Sequence, residues 1–172
     1  RWLFREAIFR KDPTQKTVYL TFDDGPHEEA TSTALSVLES YGVQATFFML
    51  GQNAIKHPKL VESVRNKGHR IGNHGMVHLS GWSTSTSQYV ADALAGKEAI
   101  GSNLFRPAYG KLSLSQYLKL KETEQIVFWD VISGDFDTTI DSNKVFENVV
   151  NNVRNGSIIV MHDSQKAMKN MA

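Results

Sequence analysis

The chain has 172 residues, 41% of them hydrophobic and 22% charged, which is enough for one domain with its own core. Lys and Arg number 19 against 18 Asp and Glu, and a net charge of +1 gives no electrostatic ground for a nucleic-acid partner. There is no cysteine, so disulfides and thiolate ligands are excluded, and any metal must be held by His, Asp or Glu.

The first segment, RWLFREAIF, mixes Trp2, Leu3, Phe4, Ile8 and Phe9 with arginine, and predicts an amphipathic helix over one end of the core. VYLTF at 18–22 reads as a strand. A helical pattern follows over 31–41, with Leu35, Leu38 and Tyr41 on one face. ATFFML at 45–50 is a second strand, and 53–67 a helix carrying Ile55, Leu60, Val61 and Val64. RIGN at 70–73 is a short strand; GMVHLSGWSTST at 75–86 reads as loop. A helix over 86–101 uses Val90, Ala93, Leu94 and Ile100. LFRP at 104–107 and IVFWDVI at 126–132 are strands, 142–154 is a helix, and SIIVMH at 157–162 is the last strand. Gly42, Gly68 and Gly156 follow three of these helices as stop signals.

Most of the strands are continuous apolar runs, as strands buried on both faces are. Their alternation with helices argues for a parallel sheet with helices outside, open or closed into a barrel. No internal repeat or linker divides the chain, so residues 1–172 read as one domain. No apolar stretch reaches the roughly 18 residues needed to span a bilayer. The chain begins at Arg1 rather than Met, and the lack of an upstream signal or anchor in it decides nothing.

In parallel α/β folds the site lies beyond the carboxyl ends of the strands. Polar residues collect there: Asp23 and Asp24, His74 and His78, Arg106, Asp135, and His162. The i, i+4 spacing of His74 and His78 puts both rings on one side if the segment turns helically. Two imidazoles and a carboxylate form a catalytic metal set with open positions, and Asp23 or Asp24 could be the third ligand. Adjacent residues point different ways, so one acid can ligate while the other stays free as a base. Each residue also has a plainer reading. Paired Asp before Gly-Pro is common in turns, a His pair is often surface decoration, Arg106 could serve a structural ion pair, and His162 could be a core histidine. Five strand ends in one chain favour the site. His57 and His69 read as surface residues, and His27 is near the site by sequence alone.

TFDDGP at 21–26, HGMVH at 74–78, RPAYG at 106–110, GDF at 134–136 and IIVMHD at 158–163 resemble, in order, the five motifs of NodB-type polysaccharide deacetylases, the family-four carbohydrate esterases. The resemblance implies a distorted (β/α) barrel with fewer than eight repeats and metal-dependent removal of acetyl groups from a glycan. It implies Asp23 as general base and Asp24, His74 and His78 as metal ligands. Arg106 would orient Asp23, His162 would act as general acid, and Asp135 would tune it. The backbone N–H of Tyr109 would bind the oxyanion, and Phe136 and Val160 would line the acetyl pocket. One divalent cation is implied, Zn2+ first, with Co2+, Ni2+ or Fe2+ also suited to such a donor set.

Three positions depart from the family's motifs. Gly75 stands where Ser or Thr usually braces the metal loop, Phe136 where Trp is usual, and Ala108 where a second Pro is usual. No ligand, base or acid is lost, so an active enzyme with altered substrate preference is expected. An O-acetyl esterase of the xylan type and a non-catalytic sugar-binding pseudoenzyme are the alternatives. The expected partner is a glycan such as peptidoglycan or a chitin-like polymer, the expected state a monomer, and an extracytoplasmic location follows from the resemblance alone.

Overall fold

The run YLTFD forms β1 (Tyr19–Asp23), an interior strand of a parallel sheet. The computed structural model describes residues 3–170. After β1 come α1 (Glu28–Ser40), β2 (Thr46–Met49), α2 (Gly51–Lys56), α3 (Pro58–Asn66), β3 (Arg70–Asn73), α4 (Thr86–Ile100), β4 (Leu104–Phe105), α5 (Leu114–Leu120), β5 (Gln125–Ile126), β6 (Val131–Ile132), α6 (Ser142–Val150) and β7 (Ile158–His162). The seven strands lie in the order β5-β4-β3-β2-β1-β7-β6, and every pair is parallel.

β5 and β6 are the two edges of this sheet, yet only residues 127–130 separate them in sequence. Laid flat, seven strands would put those edges about 29 Å apart at the usual inter-strand spacing. The link can reach only about 18 Å when fully extended. The sheet must therefore curl, and the result is the distorted barrel that the resemblance implied. This also corrects the single strand expected over 126–132. The run, apolar but for Asp130, passes from one edge of the sheet to the other.

Register aligns the strand ends. Asp23 pairs with His162 across β1 and β7, and with Phe48 on β2; Met49 pairs with Asn73, and Asn73 with Phe105. His74 and Arg106 follow directly, so the candidate residues share one rim. Outside the sheet, Leu35, Leu38 and Val64 pack on Phe22, Phe47 and Ile71, with the rings of Phe22 and Phe47 stacked at 5.0 Å. Tyr89, Ala93, Tyr117 and Leu120 form a second cluster with Phe105 and Ile126. Phe48, Val127 and Ile158 fill the interior.

The N-terminal segment is not helical. Ile8 makes a parallel bridge to Val127 and Arg10 an antiparallel one to Ser157, while Phe4 and Phe9 cover the second cluster. Arg1 and Trp2, part of the helix expected there, lie outside the described residues. The helix expected over 53–67 breaks between α2 and α3, because Pro58 has no N–H to continue the first and opens the second. α5 was not expected, although Ser113 and Gln116 form a capping box at its start.

Candidate active site

β1 ends on Asp23, which is 2% exposed. Its Oδ1 accepts a hydrogen bond from Arg106 Nη1 at 2.7 Å, and its Oδ2 faces His74 Nε2 at 3.9 Å. Asp24 leaves the strand with φ +81°, and its carboxylate, like that of Asp23, comes within 3.9 Å of His74 Nε2. The turn is clamped from below by Asp163. That carboxylate accepts from the Gly25 N–H at 3.1 Å and the Thr31 hydroxyl at 2.6 Å. A Cβ at position 25 would lie 2.0 Å from Asp163 Oδ2, so only glycine fits.

His74 continues β3 and is buried. Its Nδ1 lies 2.8 Å from the Arg106 carbonyl oxygen, so Nδ1 carries the proton and donates. Nε2 is left as a lone pair and lies 3.6 Å from Asp24 Oδ1; His78 Nε2 lies 3.2 Å from the same oxygen. The segment is a loop, as read for 75–86 from the sequence, and not the helical turn on which the i, i+4 argument was conditional. His78 reaches the cluster through a loop and a left-handed φ of +61°. Asp24, His78 and Tyr109 are the positive-φ residues other than glycine among the described residues, and all three stand on this rim.

The donor atoms of Asp24, His74 and His78 all lie within 4.8 Å of one another. Burial pushes His74 below the ordinary imidazole range, outweighing the charges of Asp23 and Asp24. Asp24 is held down to about 2: burial opposes this, but the His78 contact and the charges of His74, His78 and His162 prevail. Asp24 Oδ1 is buried and accepts no well-formed hydrogen bond, despite the two nearby imidazoles. One carboxylate oxygen without a donor and two imidazole nitrogens, converging on one point, fit a divalent cation.

Gly75 lacks the hydroxyl expected to brace this loop, and other groups hold it. Asn73 Oδ1 accepts from the Gly75 N–H at 2.9 Å, while Asn73 Nδ2 donates to the Ala93 carbonyl at 2.8 Å. Asp92 on α4 accepts from the Met76 and Val77 N–H groups at 3.0 and 3.1 Å. A Cβ at Gly75, where φ is +87°, would lie 2.6 Å from Asp92 Oδ2. Glycine at 75 and aspartate at 92 are sterically matched. Asp92 carries no sequence signal, since a lone acid on a helix reads as surface.

Arg106 is fully buried. Nη1 donates to Asp23 and to Thr21 Oγ1, both at 2.7 Å. Nε and Nη2 donate to the carbonyls of Val127 and Phe128 at 3.3 and 3.2 Å. The guanidinium lies over the Phe48 ring at 4.1 Å. Across the rim, His162 Nδ1 lies 2.8 Å from Asp135 Oδ1, and the His162 N–H donates to Asp135 Oδ2 at 2.6 Å. Burial alone would lower the His162 pKa; the hydrogen bond and charge of Asp135, with the charges of Asp23 and Asp24, raise it instead.

Asp23, Asp24, His74, His78 and His162 open on one cavity of about 560 Å³. Tyr109, Phe136 and Val160 line it, and so do Trp129, Lys111 and Lys166, which sequence reasoning missed. Trp129 was hidden inside an apolar run read as strand. His27 caps α1 through Nδ1 and is not part of the site. His69 is buried rather than a surface residue: its Nδ1 accepts from the Ala45 N–H at 3.2 Å and its ring meets Phe47 edge-on. His57 is half-buried at the α2–α3 break.

Residues 10–125 match the family described as polysaccharide deacetylase. A peptidoglycan-N-acetylglucosamine deacetylase of Bacillus cereus is 35% identical over 95% of this chain and 62% of its own length. A chitooligosaccharide deacetylase of Azorhizobium caulinodans is 31% identical over 87% of this chain and 74% of its own. A crystal structure of a peptidoglycan N-acetylglucosamine deacetylase with 4-naphthalen-1-yl-N-oxidanyl-benzamide superposes with a TM-score of 0.89 at 30% identity, covering 96% of this chain and 83% of that one. The chain thus spans less than two thirds of the Bacillus cereus relative's length. The family match covers more than half of the chain and runs through the DDGP, HGMVH and RPAYG segments on the rim just described: the chain belongs to the polysaccharide deacetylase family.

Proposed function

We propose that the chain is a metal-dependent hydrolase that removes N-acetyl groups from a glycan. The observation that carries this reading is the disposition of Asp23 and His162, paired in register on adjacent strands with the Asp24–His74–His78 cluster at the same rim. A base and an acid flanking a cation site have no use in a module that only binds sugar.

Asp24, His74 and His78 would hold the cation, Zn2+ first and Co2+, Ni2+ or Fe2+ as alternatives. When bound, it supplies Lewis-acid polarisation and lowers the pKa of water. Asp23 takes the proton from the attacking water through Oδ2, while Arg106 holds Oδ1 in place. The Tyr109 N–H donates to the oxyanion as it develops. His162 gives a proton to the departing sugar amine, a poor leaving group without one. Water and amide go to acetate and free amine. Phe136, Val160 and Trp129 form an apolar wall for the acetyl methyl group. The relatives' printed substrates support an N-acetylglucosamine polymer, acted on outside the cytoplasm, by a protein taken to be monomeric.

The test is acetate release after stripping by a chelator and readdition of Zn2+, Co2+ or Ni2+. Release from N-acetylglucosamine oligomers that depends on the cation is expected. Release from acetylated xylan alone would select an O-acetyl esterase, and release without any cation would overturn the metal-dependent mechanism.

A further inference from the structure

Lys111 stands at the edge of the catalytic cavity with its Nζ 5.4 Å from the Trp82 ring and 5.5 Å from the Tyr109 ring. Both rings are largely in solvent, Trp82 at 73% and Tyr109 at 59% exposure. An exposed tryptophan is costly in water unless something covers it, and paired exposed rings beside a cavity mark a binding surface.

This surface is held in shape. Gln116, itself buried, donates from Nε2 to the carbonyls of Gly81 and Thr84 at 2.8 and 3.2 Å, on either side of Trp82. Its Oε1 accepts from the Ser113 N–H at 2.9 Å. The Gly81 backbone is packed so close to the Lys111 carbonyl that a Cβ would lie 2.4 Å from it. The loop bearing Trp82 and the segment bearing Lys111 are thus fastened to each other, and the rings are preorganised rather than merely loose on the surface.

Lys111 and Lys166, the two lysines lining the cavity, make no ion pair among the described residues. The cavity's carboxylates are otherwise engaged. Asp23 is tied to Arg106, and Asp24 faces two imidazoles. Two cations without protein anions, beside two open aromatic faces, suit a ligand that is both a sugar and an acid.

We propose that Trp82, Tyr109 and Lys111 form a subsite for the sugar next to the one deacetylated, and that this sugar bears a carboxylate. The apolar C–H face of the ring lies on the indole, and the carboxylate meets Lys111, with Lys166 as a second cation on the same cavity. In an N-acetylated glycan such a carboxylate is a lactyl ether on the neighbouring sugar or an acidic residue of a peptide attached there. The subsite deepens the deacetylase reading and rests on it for its placement beside the scissile amide.

Three substrates separate the sources: a neutral N-acetylglucosamine tetramer, an alternating oligomer with free lactyl carboxylates, and the same oligomer bearing stem peptides. Lys111→Gln is expected to lower the preference for a carboxylated over a neutral substrate, in kcat/KM, by about 3- to 10-fold, the scale of a partly exposed ion pair. The change lies in KM and shrinks in 0.5 M salt, roughly the range where exposed charges are screened. Trp82→Ala is expected to raise KM for all three. An effect of Lys111→Gln on the lactyl oligomer identifies the lactyl group, and an effect on the peptide-bearing oligomer alone identifies the peptide; both support the subsite. An unchanged preference, or a wild-type preference for the neutral tetramer, overturns it. Calorimetric binding of the same glycans keeps the two readings apart. No acetate from any substrate, with carboxylate-dependent binding that Lys111→Gln weakens, would remove the deacetylase reading and leave the subsite. Acetate release with no such preference would do the reverse.

Discussion

Asp135 grips His162 at two points, its Oδ1 2.8 Å from the ring Nδ1 and its Oδ2 accepting the backbone N–H at 2.6 Å. The same carboxylate therefore sets both the orientation of the ring and its affinity for a proton. The His162 pKa is raised, so the imidazolium survives to a higher pH than an ordinary histidine's, and activity that needs it declines as pH rises through that value. Asp135→Asn removes the charge and keeps an acceptor. The alkaline limb of the kcat profile should move toward lower pH by about 1 to 3 units. An unmoved limb would mean that His162 is not the acid. His162→Ala should cost about 10²- to 10⁴-fold in kcat on an amide substrate.

Asp92 should matter to the cation without touching it. It fixes the N–H groups of Met76 and Val77, between the two histidines of the cluster. Asp92→Ala is expected to weaken cation affinity about 10- to 100-fold, the usual effect of removing a group that orients a ligand. Competition with a chromogenic chelator measures this directly. If affinity is unchanged while only the melting temperature falls, Asp92 serves α4 and not the loop.

Arg106 makes five hydrogen bonds with its side chain or carbonyl at the site and is fully buried. Arg106→Met leaves Asp23 as a buried, unpaired charge, and breaking a buried pair from one side costs about 3–5 kcal/mol. Arg106→Lys should rescue little of it, because one ammonium cannot reach Asp23, Thr21 and two carbonyls together. Urea unfolding checks both. A loss below about 1 kcal/mol, the scale of a surface pair, would contradict the assignment.

Asp163 predicts a pH dependence of stability in the cation-free protein. Burial pushes its carboxyl up to about 8, against the hydrogen bonds from Thr31 and Gly25 and with the charge of Asp24 adding to the rise. The folded state then binds more protons than the unfolded one between about pH 4 and pH 8, so stability falls as pH rises through that window. The raised pKa of His162 acts in the same direction. Asp163→Asn is uncharged at every pH and should flatten the decline of the melting temperature from about pH 5 to pH 8. An equal slope in the variant would show that Asp163 is ionised in the fold.

The rim residues Asp23, His74, Arg106 and His162 were legible because each lies at the end of a short run read as a strand, and a parallel sheet gathers its carboxyl ends at one side. The sheet's closure was not legible. Periodicity reports burial and not partner, so IVFWDVI looked like one strand when Trp129 and its neighbours cross between two edges. For the same reason Phe4, Ile8 and Phe9 looked like a helical face although they are an irregular cover held by isolated bridges. Asn73 and Asp92 act on backbone N–H groups, which leave no mark in a sequence. Ser113 and Gln116 did leave one, a capping box that announces α5.

The most direct test of the account is acetate release from an N-acetylglucosamine oligomer by wild-type protein and by Asp23→Asn, each loaded with the same cation and each shown to bind it. Asp23 faces the cluster without belonging to it. The expected result is equal cation affinity with kcat reduced about 10²- to 10⁴-fold in the variant, the scale of a lost general base. Full turnover by Asp23→Asn, or loss of the cation along with the activity, would contradict the division of the adjacent acids into one base and one ligand.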